Sequence, residues 1–304
     1  MQLGQRLALL FWTLAVASGV HEARAALPPR LIFDPSSRYA PEIERMEKSA
    51  PERLRSVMDL VGLADGGEPI HVVLAPEDHP LALRVPIPVA GYAVPERDLA
   101  VLLPHRVPSY PYDSLDEVLL HELTHVLASR AAGAGAVPRW WNEGLALLAS
   151  RGWSMGDRSR VLLGAVTGVA DTAALEASFD RGTQQSAAYA ISGALVHNLV
   201  QRHGVELVAA TLAGVASGSD FETAFAAAAG VPLAQDVEGF WRRYLFWYRW
   251  LPFLTSGAAL WASVTGLAIL AGVRRRRRDA EIRRRWEAEE QLEQRANEAE
   301  EIVN

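Results

Sequence analysis

His121-Glu122-Leu123-Thr124-His125 lies inside an apolar run from Leu115 to Leu127, and that placement leaves few folds open. An α-helix stacks residues four apart, with β-carbons about 5–6 Å from each other. The two imidazoles then share one face and can hold one tetrahedral metal ion. Glu122 follows the first His directly, so its carboxylate lies beside the metal without binding it, placed to take a proton from metal-activated water. Ser114 and Glu117 read as a capping box that starts the helix. Leu115, Val118, Leu119, Leu120, Leu123, Val126 and Leu127 make most of its turn apolar, as for a helix buried at the floor of a cleft.

Catalytic zinc usually has three protein ligands and an open position. Glu143, in Pro138-Arg139-Trp140-Trp141-Asn142-Glu143-Gly144-Leu145-Ala146, is the candidate third ligand, following His125 after 17 intervening residues. The Gly/Ala linker Ala131–Ala136 lets the chain reverse. A second helix is predicted to start near Trp141, with Glu143 in its first turn. Two antiparallel helices then supply a His121, His125, Glu143 set around Zn²⁺.

HELTH followed by WWNEGLA resembles the gluzincin clan of zinc metallopeptidases, and more narrowly the small peptidase MA-like family. The similarity covers roughly 70–244. It implies zinc on His121, His125 and Glu143, with Glu122 as general base. The thermolysin-like pattern has a Ser-Asp pair after its ligand Glu, which braces a zinc His. This chain has Leu145-Ala146-Leu147 there, so the resemblance supplies no bracing carboxylate.

The expected fold is α+β and zincin-like: a small mixed sheet, the zinc helix pair and a helical C-terminal half. Residues 26–39 read as an irregular lead-in. A helix is expected over 40–62, broken at Pro51. Strands are expected at 70–74, 90–94 and 99–103, and alanine-rich helices at 187–203, 205–216 and 221–229. In the family an edge strand pairs with the extended substrate, and the resemblance puts that role on 99–103. Tyr189 is the first candidate to hold the tetrahedral oxyanion and His197 the second, a need that follows from the charge developing beside the metal.

Residues 1–25 have the layout of a secretory signal peptide: Arg6, an apolar stretch 7–20, and Ala23-Arg24-Ala25. Residues 251–273 form an uncharged apolar run, preceded by aromatic residues and followed by Arg274 to Arg278. That reads as a single transmembrane helix with its basic side cytoplasmic. The peptidase domain, 26–250, is then extracytoplasmic, and 274–304 is a charged helical tail inside. The chain has no cysteine, which excludes thiolate ligands and disulfides. Net charge is −6 and the basic residues cluster beside the apolar run, so no nucleic-acid surface is indicated.

The reading that combines these features is a membrane-anchored zinc endopeptidase acting on peptides or proteins. A non-catalytic zincin-like binding module and an aminopeptidase of the same clan are the alternatives. The first is expected to have lost a ligand or Glu122. The second needs an acidic group for the substrate's free amine.

Overall fold

The computed structural model describes residues 27–303 apart from 36, 88, 152–156, 158–159, 162–170, 183 and 255–256. The expected signal segment at 1–25 lies outside the described residues. Strand β1 (Leu31–Phe33) comes first, within the stretch expected to be irregular. Next is α1 (Ala40–Val61), then β2 (Ile70–Leu74), β3 (Gly91–Val94) and β4 (Leu99–Leu102). The sheet order is β1-β2-β4-β3; the first three strands run parallel and β3 is antiparallel to β4. The sheet is therefore mixed, as expected, but its edge differs. Residues 99–103, expected at the edge, are interior, paired on both sides. The free edge near the helices is β3, in register Gly91↔Leu102 through Val94↔Leu99. Short apolar strands look alike in sequence, and only the crossover from β2 to β4 separates them.

Pro51 does not break α1. It lies on the exposed face, and the Glu47 carbonyl it leaves unpaired is also at the surface, where water can serve it. Met46, Ala50, Leu54, Val57, Met58 and Val61 are buried on the other face and hold the helix together.

Beneath the sheet runs α2 (Leu115–Ala132), in contact with α1, β3 and β4 and buried on most of its circumference. Ser114 Oγ accepts the Glu117 N–H at 3.3 Å, as expected. The Glu117 carboxylate reaches one residue further back than a capping box requires, accepting the Asp113 N–H at 2.9 Å. The chain reverses through Gly133 into α3 (Arg139–Ser150). α3 starts two residues before Trp141, because a carboxylate from α4 (Thr172–Ser178) caps it: Glu176 accepts the N–H groups of Arg139 and Trp140 at 3.0 and 3.1 Å.

The C-terminal half is helical: α5 (Gln185–His203), α6 (Glu206–Ala216), α7 (Phe221–Ala229), α8 (Leu233–Leu254) and α9 (Gly257–Val303). α3 and α5 cross very closely at Gly144. A β-carbon there would meet the Ser192 carbonyl oxygen at 2.4 Å and Val196 Cγ2 at 2.6 Å. Gly144→Ala is expected to cost about 1–3 kcal/mol of stability by overpacking, read from denaturant unfolding. An unchanged midpoint would show that this contact is not tight.

The span expected over 251–273 is described only in part. α8 ends at Leu254 and α9 begins at Gly257, with 255–256 outside the described residues. Among the described residues no helix is long and apolar enough to cross a membrane. The tail is helical as expected, continuous with α9 to Val303.

Candidate active site

α2 places His121 and His125 one above the other, ring centroids 4.7 Å apart and planes at 87°. α3 delivers Glu143 to the same point. Glu143 Oε2 lies 3.2 Å from His121 Nε2 and 3.6 Å from His125 Nε2. One ligand atom from each of the three residues falls within 4.8 Å of the others. For bonds of about 2.0–2.2 Å, the corners of a tetrahedral zinc site stand about 3.3–3.6 Å apart. The two separations are close to the edges of such a tetrahedron, and the donor set fits such an ion.

Electrostatics keep His121 and Glu143 in the form a metal requires. Burial pushes His121 down to about 4, so its ring is neutral at pH 7. Burial pushes Glu143 upward, but the hydrogen bond from His121 and the charges of His125 and Arg139 outweigh it, and its carboxyl sits below the usual range. Arg139 Nε stands 3.9 Å from Glu143 Oε1. Both imidazole Nδ1 atoms are buried and have no hydrogen-bond partner among the described residues. The bracing carboxylate that the sequence lacked at 145–147 is thus not supplied from another described part of the fold. Instead, the edge of the Tyr112 ring meets His121, centroids 5.1 Å apart at 76°.

Glu122 is buried next to the ligands but turned toward the sheet. Burial, then the neighbouring Glu143 charge, raises its carboxyl well above the usual range. A β-carbon on Gly91 would come within 3.1 Å of Glu122 Oε1 and 2.6 Å of Val118 Cγ1, so glycine lets the start of β3 press against this carboxylate. A cleft opens at this point, lined by Val89 to Gly91, the Tyr110–Tyr112 turn, and Gln185, Ser186 and Tyr189 of α5. Tyr189 is thus brought to the site, stacked edge-on against Phe179 at 5.4 Å. Burial and then Glu143 raise its hydroxyl above the usual phenol range, leaving a neutral donor at pH 7. His197 does not line the cleft.

Residues 113–247 match the family model of the peptidase MA superfamily. The match spans both the paired histidines and Glu143, and is consistent with a gluzincin-like peptidase. It indicates a peptidase in general terms. No curated protein and no solved structure matches the chain.

Several residues of this site gave no usable sequence signal. Tyr112 and Gly91 come from a Pro-rich turn and a short strand, and Glu176 caps α3 from a distant segment. Arg106 is another. Its nearly buried guanidinium pairs with Glu77 at 2.9 and 3.0 Å and donates to the carbonyls of Ala82, Pro86 and Val89 at 3.2, 3.1 and 3.0 Å. It thereby fixes the loop that leads into β3. Arg106→Ala is expected to cost about 2–3 kcal/mol and to speed amide exchange across 82–90 first. Uniform exchange across the whole domain would contradict a local role.

Proposed function

We propose that this protein is a membrane-anchored zinc endopeptidase that cleaves extracytoplasmic peptides or proteins. The observation that carries the proposal is the convergence of His121 Nε2, His125 Nε2 and Glu143 Oε2 at tetrahedral spacing beside the Glu122 carboxylate. A bound zinc ion would polarise the scissile carbonyl and lower the pKa of a water molecule. Glu122 accepts the proton of the attacking water and returns it to the leaving amine, a role favoured by its raised basicity. Tyr189, held neutral, donates its hydroxyl to the developing oxyanion. β3 has no ladder partner on its outer side among the described residues, so it offers main-chain groups to an extended substrate.

Endopeptidase action is favoured over aminopeptidase action because the residues lining the cleft include no carboxylate to hold a free amine. Anchoring is supported by the exposed apolar side chains Leu260, Trp261, Val264, Leu267, Ile269, Leu270 and Val273 on α9, followed at once by Arg274 to Arg278. Such a face is costly in water, and the arginines fit the cytoplasmic side of a bilayer.

Purified full-length chain should carry about one zinc and cleave peptides blocked at the N-terminus. Chelation should stop cleavage and zinc restore it. Cleavage confined to unblocked peptides would point to the aminopeptidase alternative, and a zinc-loaded protein with no cleavage to a binding module. Alkaline washing should leave the chain in the membrane fraction; its release would remove the anchor from the proposal.

A further inference from the structure

We propose that Tyr112 is a second hydroxyl donor of this reaction site, gripping the same substrate oxygen as Tyr189 from the opposite wall of the cleft. The inference rests on the peptidase reading above. Tyr112 is held rigidly: its N–H donates to Ser109 O at 2.7 Å, and its own carbonyl accepts the Ser109 N–H at 3.1 Å. That turn presses the ring edge-on against His121 and leaves the residue only 7% exposed. The exposed remainder lines the cleft together with Gly91 and Tyr189.

No partner among the described residues occupies the Tyr112 hydroxyl, unlike Tyr110, whose hydroxyl donates to Asp157 at 3.1 Å. The Tyr112 ring packs against His121, and the residue shares the lining of the cleft with Tyr189. A tetrahedral oxyanion has lone pairs for more than one donor, and a donor already fixed in place costs nothing to reorganise. Packing alone needs the ring of Tyr112. A hydroxyl without a partner among the described residues, on a residue that lines the cleft, is what packing leaves unexplained.

The test compares wild type, Tyr112→Phe, Tyr189→Phe and the double variant in the full-length chain. The readouts are kcat, KM, zinc content and affinity for a phosphinic peptide, whose tetrahedral phosphinate mimics the oxyanion. Tyr112→Phe should keep its zinc and its KM within about threefold, and lose about 10²-fold in kcat, the effect of one oxyanion donor. It should bind the phosphinic peptide at least tenfold more weakly, and the double variant should lose less than the product of the single losses. Wild-type kcat and phosphinate affinity in Tyr112→Phe would overturn the inference. So would loss of zinc from that variant, which would reduce Tyr112 to a packing role for His121. If wild type neither cleaves peptides nor binds the phosphinate, the peptidase reading fails and this inference with it. An active wild type with an equally active Tyr112→Phe removes this inference alone.

Discussion

Glu122→Gln is expected to retain zinc and fold normally while losing about 10²–10⁴-fold in kcat, the contribution of a positioned general base. The reason lies in where the carboxylate sits. It is 3% exposed, pressed against β3 at Gly91, and receives no hydrogen bond from the described residues that offsets its burial. A buried carboxylate without a donor is a stronger base than one in water. Glutamine keeps the shape and cannot accept the proton, so the loss should appear in kcat, with little change in KM. The amide should also relieve repulsion against Glu143, so the variant should be no less stable than wild type. Steady-state kinetics with metal analysis on the same sample checks this. Cleavage by the variant at the wild-type rate would show that another group activates the water.

Glu143→Ala is expected to abolish both zinc retention and activity. This carboxylate contributes the only non-histidine ligand atom of the set, and its position is fixed from two sides. Arg139 approaches its outer oxygen, and Gly144, the next residue, is locked against Ser192. Its removal leaves His121 and His125 alone, with both Nδ1 atoms lacking partners among the described residues. Binding stabilises a fold by RT ln(1 + [L]/Kd), about 4 kcal/mol when free zinc is a thousandfold above Kd. For a domain of this size that is about 8–16 °C in Tm. Added zinc should therefore raise the Tm of chelated wild type by about that much and leave Glu143→Ala unmoved. Equal shifts in both proteins would place the ion elsewhere.

How much of this was legible in the sequence depends on the range of each interaction. The α2 and α3 helices carry their own local signals: the Ser114 cap, the apolar circumference, the Gly/Ala reversal and the adjacent Glu143. Both helices and the meeting of three ligand side chains could thus be read in advance. The start of α3 could not, because its cap is Glu176, a residue that becomes a neighbour only after α4 folds back. The edge strand was misplaced for a similar reason. Residues 91–94 and 99–102 have the same short apolar character, and their order depends on β4 inserting between β2 and β3. Pro51 carries a strong local rule, yet burial of one face of α1 and hydration of the other override it. Tyr112 and Arg106 lie in irregular segments with no periodicity, so their roles emerge only from the tertiary contacts.

X-ray absorption at the zinc edge of the full-length protein tests the central claim most directly. The account predicts nitrogen and oxygen donors only, at about 2.0–2.2 Å, with outer-shell scattering from two imidazoles that disappears in the His121→Ala, His125→Ala double variant. A protein that takes up no zinc, or whose metal environment is unchanged in that variant, would contradict it.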